Sequence, residues 1–216
     1  MIHHTDDMPA ELRVRPRDHR GFPVPWFVTR KDERGRWDFV TVDTQRMYQA
    51  IRQDLCWVTG EPLGRFRSFV IGPMCVINRV AGDPPVKRNV ALYSATVCPF
   101  LVNPRMRRVG EHGEIMEGQR GRAVSRNPGL CAVFTVEKKR QHFNRHSLFD
   151  LGEPSNVEWF KEGRPATRQE ARAALDDGFA FLLDEAEKEG DNAVMHLLVM
   201  YELATRYLPV DNSAPR

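Results

Sequence analysis

One run of residues limits the possible folds of this chain more than any other. Residues 130–137 read LCAVFTVE and form its clearest predicted β-strand.

Farther along, Thr167 and Glu170 have the spacing of a capping box, in which a hydroxyl and a carboxylate satisfy free amides in the first turn of a helix. Gly190 ends that helix, and Asp191 is placed to cap another. Helices with so short a link pack antiparallel. We therefore predict an α+β fold, with a small antiparallel sheet, short helices and a C-terminal antiparallel helical hairpin.

Shorter elements are predicted before residue 130 from periodicity and turn residues. They are a hairpin (27–31 and 37–42), a helix (44–55), a strand (65–72) and a helix (90–102). Asp43 and Thr44 are the N-cap candidates of the first helix. Pro99 is expected to distort the last turn of the second helix. Residues 74–80 are interpreted either as a further strand or as a buried turn.

The length of 216 residues suits one core with a helical extension. We predict a mixed α/β body at 12–150, a helical C-terminal region at 151–209 packed on it, and flexible tails at 1–11 and 210–216. No apolar run approaches the roughly 18–20 residues that span a bilayer, and the polar N-terminus lacks the layout of a signal peptide. These features predict a cytoplasmic protein without a membrane partner.

Charge is unevenly distributed along the chain. The net formal charge is +3, but residues 1–146 carry +10 and residues 147–216 carry −7. Such a division can steer an anionic partner to one end of a molecule, although it also arises simply to keep a protein soluble.

Residues 55–64, LCWVTGEPLG, have the outline of a zinc knuckle in which Thr59 stands where a second cysteine would be. Other distinctive stretches follow a fixed order along the chain: RGFPVPWFV, LCWVTGEPLG, FVIGPMC, PPVKRNVALYSATVCPFL, RNPG and WFKEGRPATRQE. With these stretches, most of residues 17–185 resemble a group of uncharacterised proteins from actinobacteria and their phages. The resemblance implies no known activity, but it implies a metal pattern, Cys-x-x-Cys followed by His-x-x-Cys.

This chain departs from the implied pattern at three of its four positions. Cys56 is retained, whereas the others are Thr59, Lys87 and Val90. Replacing a whole polar cluster with packed side chains is often nearly neutral, whereas removing one member is not. We therefore predict that no zinc binds here, that no other cofactor is present, and that Cys56 is a buried remnant.

Residues 103–129 combine seven glycines and prolines with six arginines, which is typical of a long loop. The candidate anion-binding or partner-binding residues are Arg105, Arg107, Arg108, Arg120, Arg122, Arg126, Lys138, Lys139 and Arg140. The guanidinium fork matches phosphate oxygens, and glycine lets the backbone approach them. Phe143 is the nearest aromatic residue, so stacking of exposed bases has little support. Nucleic acid, an acidic protein and a merely solvated loop all stay open.

Histidines offer the other candidate site. His142 and His146 would share a face if HFNRH formed a helical turn, as metal-binding pairs do, but a solvated basic loop also fits. Asp18 could orient His19 for general-base chemistry, but neighbouring residues seldom face each other.

The leading hypothesis is a non-enzymatic accessory or regulatory protein, linked to a phage or mobile element, that contacts a polyanion or an acidic protein. A metal-dependent, nuclease-like enzyme that uses His19, His112, His142 or His146 is the first alternative. A structural subunit of a larger assembly is the second, and it predicts an exposed apolar patch on the C-terminal helices. The residues suggested for that patch are Phe179, Phe181, Leu197 and Met200.

Overall fold

The computed structural model of the chain describes residues 7–39, 42–103 and 129–210. The helices in these ranges are α1 (Ala10–Arg13), α2 (Thr44–Gln53), α3 (Pro73–Asn78), α4 (Arg88–Val97), α5 (Pro99–Val102), α6 (Arg168–Glu189) and α7 (Asp191–Thr205). The strands are β1 (Phe66–Ile71), β2 (Val80–Ala81), β3 (Leu130–Glu137), β4 (Gln141–Phe143), β5 (Phe149–Leu151), β6 (Asn156–Lys161) and β7 (Arg164–Pro165). The fold is α+β, as predicted.

Four strands form the main antiparallel sheet in the order β1-β3-β6-β7, and β2, β5 and β4 form a second sheet in that order. In the main sheet, Phe66 of β1 lies opposite Glu137 of β3, and Leu130 of β3 lies opposite Lys161 of β6. Strand β6 follows residue 150, so the predicted body and the predicted C-terminal region share this sheet.

Strand β3 is buried along its length except at Glu137, because apolar layers cover both of its faces. On one face, Ala132 and Phe134 belong to a cluster that includes residues of α3, α6 and α7. On the other face, Cys131 and Val133 join a cluster with α4 and the 55–64 turn. Side chains alternate between the faces of a strand, so two covered faces require an uninterrupted apolar run. This burial explains why β3 was the clearest strand in the sequence.

Helices α6 and α7 form the predicted antiparallel hairpin. Gly190 joins them at one end, and at the other end Arg168 of α6 donates a hydrogen bond of 3.0 Å to the carbonyl of Pro209, beyond α7. Thr167 and Glu170 form both hydrogen bonds of the capping box. The predicted cap of α7 is wrong, because Gly190 takes the N-cap position and makes no side-chain bond.

The elements before residue 130 agree with the sequence in part. Asp43 caps α2 through hydrogen bonds from the amides of Gln45 and Arg46, and α4 ends at Val97, before Pro99 opens α5. Residues 73–78 form a helix rather than a strand or turn, because Gly72-Pro73 starts it with proline in the first turn.

The hairpin predicted at 27–31 and 37–42 does not form two strands in the part that the structure describes, which omits residues 40 and 41. A single bridge joins Lys31 to Trp37, and Asp32 closes the turn by accepting hydrogen bonds from the amides of Arg34 and Arg36. In the three described ranges, no helix is long and apolar enough to cross a bilayer.

Candidate anion-binding surface and the knuckle region

Exposed cationic side chains lie where β1 begins and β3 ends. We call this site the basic corner, and it consists of Phe66 and four cations, Arg65, Lys138, Lys139 and Arg140. The amide of Lys138 donates a hydrogen bond of 2.9 Å to the carbonyl of Arg65, next to the Phe66–Glu137 pair of the sheet. Lys138–Arg140 then form one turn of 3₁₀ helix before β4. Antiparallel pairing thus brings two cationic segments, distant in sequence, to one end of the sheet.

The four cationic side chains of the basic corner are between 45% and 77% exposed. Each holds a carboxylate, and the pairs are Arg65–Glu137 (2.7 Å), Lys138–Asp54 (2.8 Å), Lys139–Glu137 (3.3 Å) and Arg140–Glu153 (3.7 Å). Asp54 also binds the buried Arg67. Five cations therefore share three carboxylates, which leaves the corner net positive.

The ion pairs of the basic corner are exposed, and Glu137 takes part in two of them. The hydrogen bond from Arg65 lowers the pKa of Glu137, and Lys139 adds to this effect. Exposed ion pairs contribute little to stability because water and salt screen them. A phosphate or carboxylate group of a partner can therefore replace Glu137 or Glu153 at small cost.

Phe66 is the aromatic residue that the sequence analysis missed at this site. Its side chain is 44% exposed, and the guanidinium carbon of Arg65 lies 5.3 Å from its ring centroid. Phe143, which the sequence suggested instead, is half-buried and packs against Phe149 with ring centroids 5.0 Å apart. The sequence signal that could have identified Phe66 is the alternation of side chains along β1. Neighbouring residues point to opposite faces of a strand, so Phe66 and Arg67 lie on different faces.

The six predicted arginines from Arg105 to Arg126 lie outside the described residues. One described end of that segment, Gly129, adjoins Leu130 of β3, and Val102, just before the other described end, lies beside Gly163 in the β6–β7 turn at the same end of the sheet. Residues Lys138–Arg140 follow the other end of β3. At about 3.3 Å per residue, the eight residues of β3 separate these ends by roughly 23 Å. Of the predicted cluster, the structure therefore places three cations, Lys138, Lys139 and Arg140, at the basic corner.

Residues 55–64 together with Lys87 and Val90 form what we call the knuckle region. The amide of Cys56 donates to the carbonyl of Glu61 at 2.7 Å, and the amide of Gly60 donates to the carbonyl of Cys56 at 2.8 Å. Gly60 has φ +78°, and a Cβ there would lie 2.5 Å from the Trp26 ring. Residues 56–61 therefore form a tight turn, and it requires glycine at position 60.

The interior of the knuckle region is apolar. Cys56 and Val90 have no exposed surface, and Thr59 is 7% exposed. Trp57 stacks on Phe27 with ring centroids 4.6 Å apart and contributes to the same buried cluster. The burial of Cys56 agrees with the sequence prediction.

Lys87 joins three segments at the edge of this cluster. Its ammonium contacts the carboxylate of Glu61 in the turn and that of Glu11 in α1, the latter at 3.3 Å, and its side chain is 25% exposed. The hydrogen bond to Glu61 is the main cause of a raised pKa for Lys87. The ammonium is thus held by two carboxylates rather than directed into open solvent.

The residues at the four positions of the implied metal pattern do not fit a zinc site. Structural zinc requires four thiolate or imidazole ligands in a tetrahedron. Only Cys56 supplies one, since Thr59 lacks a soft donor, Lys87 is a bound cation and Val90 is aliphatic. Across the described ranges, no group of three histidine, cysteine, aspartate or glutamate side chains could hold a metal ion.

The two histidines of HFNRH do not share a helical turn, so the paired metal-binding alternative has no support in the geometry. His142 lies in β4, and its Nε2 is 2.9 Å from Oδ2 of Asp150, while its side chain is 72% exposed. His146 lies in the turn before β5, where its amide donates to Asn144. The register explains the difference, because His142 pairs with Asp150 across the second sheet.

Among the described residues, His19 does not form a metal site with His142 and His146 either. His19 is exposed, and the adjacent Asp18 is buried and binds Arg20 at 2.7 Å. Asp18 also accepts the amides of Arg20 and Phe22, so this carboxylate closes a turn rather than orienting an imidazole. His112 lies outside the described residues.

An exposed apolar patch is present on the C-terminal helices, but not at the residues suggested for it. Leu197 is buried, and Phe179, Phe181 and Met200 are half-buried. The exposed residues are Met195, Leu198 and Val199, which we call the α7 stripe. Which apolar side chains of α7 face α6 depends on packing between elements, so a list of apolar residues does not predict it.

Comparisons of the chain with protein-family models, with curated proteins and with solved structures found no match. The family resemblance therefore stays a prediction, and the function is argued from the geometry of the basic corner and the knuckle region.

Proposed function

We propose that this chain is a non-enzymatic accessory or regulatory protein that binds a polyanion, and that the polyanion is nucleic acid. The basic corner and the arginines of residues 103–129 supply the contacts. The link to a phage or mobile element is part of the proposal and rests on the sequence resemblance alone. The observation that carries the binding proposal is the exposed, net positive basic corner, in which the exposed ring of Phe66 lies beside Arg65.

The chemistry of the corner suits nucleic acid better than an acidic protein. Guanidinium and ammonium groups bind phosphate oxygens, and the exposed ring of Phe66 offers a surface on which an unpaired base can stack. Arg65 lies against that ring, so one residue can contact a phosphate beside a stacked base. Acidic side chains of a protein would use the cations but would not need the ring.

A binding titration at two salt concentrations tests the proposal. We expect labelled single-stranded and duplex oligonucleotides to bind at low salt and to weaken steeply as salt rises. Each phosphate contact contributes about −0.7 for single strands, or −0.9 for duplex DNA, to the slope of log K against log salt. Four corner cations alone therefore predict a slope of about −3.

A matched pair of double variants separates the basic corner from net charge. K138Q/K139Q removes two exposed lysines of the corner, whereas R172Q/K188Q removes two exposed cations that pair with carboxylates on α6. We expect the corner variant to weaken binding about tenfold and to flatten the salt slope by about 2 units. The α6 variant should change neither.

The Phe66→Ala variant tests the choice of nucleic acid over acidic protein. Base stacking is worth about 1–3 kcal/mol per base, so we expect single-strand binding to fall about tenfold and duplex binding to fall less. Absence of binding at low salt, or equal losses in both double variants, would refute the proposal. Binding to polyglutamate but not to oligonucleotides would support the acidic-protein alternative instead.

A further inference from the structure

The α7 stripe is an apolar surface that the proposed nucleic-acid contact does not use. Met195 is 62% exposed, Leu198 is 44% exposed and Val199 is 55% exposed. Their spacing of three and four residues places them on one side of the helix. Single exposed apolar residues are ordinary, but a contiguous group marks a contact surface. The opposite side of α7 already packs in the core through Leu197 and Ala204.

Charged residues continue the same side of α7 to both of its ends. Asp191, Met195, Leu198, Glu202 and Arg206 recur at intervals of three and four, and all five are exposed. Asp191 is the first residue of the helix, and Arg206 is its C-cap. Within the ranges that the structure describes, neither of these two side chains has an ion-pair partner. The stripe is therefore an apolar centre with an acidic end and a basic end.

This arrangement is complementary to itself when one copy is reversed. With a two-fold axis between positions 198 and 199, Leu198 faces Val199 of a second copy, and Met195 faces the aliphatic stem of Glu202. The same register places Asp191 opposite Arg206 of the second copy, once at each end. A parallel arrangement would instead place Asp191 against Asp191. The pairing of opposite charges therefore favours the antiparallel orientation of the two helices and favours a second copy of this chain as the partner.

We infer that the α7 stripe is a self-association surface on which a second copy of this chain packs antiparallel. Helices α6 and α7 of the two copies then form a four-helix arrangement at the junction. The net charge of −7 on residues 147–216 opposes this approach at low ionic strength. At physiological salt, the screening length of about 8 Å reduces that repulsion.

The small area of the α7 stripe limits the expected affinity of the dimer. Stable interfaces bury about 800 Å² on each partner, and three apolar side chains with a charged rim provide less. We therefore expect a reversible dimer with a dissociation constant on the order of micromolar to tens of micromolar. Sedimentation velocity over a concentration series at physiological salt measures it directly.

Charge-swap variants provide the decisive test. D191R or R206D alone places like charges opposite each other at both ends, so each should weaken the dimer about tenfold or more. The double variant D191R/R206D restores opposite pairing and should restore dimerisation to near the starting strength. A surface that binds a different protein has no reason to show this rescue.

Apolar variants and their control complete the design. L198E places two carboxylates at the two-fold axis and should abolish the dimer, whereas V14E, at a residue that is 82% exposed beyond α1, should not affect it. Circular dichroism and thermal unfolding show whether each variant is folded. The inference is wrong if the unaltered chain is monomeric at hundreds of micromolar, if L198E still dimerises, or if the double swap fails to restore association. Oligonucleotide binding by L198E separates this inference from the proposed function.

Discussion

The knuckle region and the basic corner both pair cations with carboxylates, but the pairs differ in what they connect. Lys87 is 25% exposed and joins α1, the 55–64 turn and the start of α4 over a buried apolar cluster. Arg65 and Lys139 are 73% and 77% exposed, and both contact Glu137 at the end of strand β3. In the knuckle region, the ion pairs therefore hold separate segments together. In the basic corner, they lie on the surface and join residues that the sheet already brings together.

The two regions differ as well in how a partner can reach their cations. At the knuckle region, replacing Glu61 or Glu11 with an external anion would release a connection between segments. At the basic corner, replacing Glu137 leaves the β1–β3 pairing intact, because backbone hydrogen bonds hold it. The comparison shows why we assign stability to one set of ion pairs and binding to the other.

Arg67 offers the largest test of this comparison. It has no exposed surface, and it binds both carboxylate oxygens of Asp54 through Nε and a terminal nitrogen. Arg67→Ala would leave a large cavity and remove the hydrogen bond of 3.1 Å to the carbonyl of Phe66, so it should lower the free energy of unfolding by about 3 kcal/mol. Chemical denaturation measures the change.

The matched control for Arg67 is Arg65, two residues earlier in the chain. Its exposed pairing predicts a loss near zero for Arg65→Ala, since surface ion pairs contribute little. If both variants lost the same free energy, burial would not distinguish the two kinds of ion pair.

Gly60 tests the packing of the knuckle region. Gly60→Ala forces a Cβ into the Trp26 ring and a side chain into a left-handed backbone conformation, whereas Gly35→Ala, at φ +75°, has open space around the new Cβ. We expect Gly60→Ala to cost about 1–3 kcal/mol more than Gly35→Ala. Tryptophan fluorescence during urea unfolding measures both variants. Equal costs would mean that the Trp26 contact contributes nothing.

Lys87→Met tests the smallest of these effects through its pH dependence. The raised pKa of Lys87 means that its contribution is complete below about pH 10.4, its unfolded value, and is lost as pH rises through the folded value. Glu11 has a lowered pKa, chiefly from a backbone hydrogen bond, so its contribution is present above about pH 4.3 and is lost as pH falls through the folded value. We therefore expect Lys87→Met to cost about 1 kcal/mol near pH 7 and less at both extremes.

The control for this pH profile is Lys188→Met. Lys188 also pairs with two carboxylates, Asp184 at 2.7 Å and Glu185 at 2.9 Å, but all three side chains lie on the surface of α6. We expect a smaller loss of stability than in Lys87→Met. A loss as large as that of Lys87→Met would remove the distinction between an ion pair that joins segments and one that lies along a helix.

Local features were predictable from the sequence where one pattern had one interpretation. The limits of β3 agree residue by residue, Asp43 caps α2, and Thr167 and Glu170 form their capping box. Short apolar runs were ambiguous, because residues 73–78 became a helix once Pro73 fixed the first turn. Strand β6 was not predicted at all, since half of its side chains are polar and its pairing with β3 is non-local.

The candidate sites depended on contacts that no local pattern contains. Lys138 and its two neighbours were identified from composition, but Arg65 and Phe66 join them only through strand register. The partners of Lys87 are Glu61 and Glu11, which are distant in sequence, so no local pattern identifies them. The sequence shows which residues are charged, whereas packing between elements determines which of them form ion pairs.

Metal content of freshly purified protein tests the central claim most directly. That claim is that apolar packing and the Lys87 ion pairs hold the knuckle region without a metal ion. Elemental analysis of the unaltered chain and of Cys56→Ser should show the same substoichiometric zinc and iron in both. One metal ion per chain that disappears in Cys56→Ser would contradict the account.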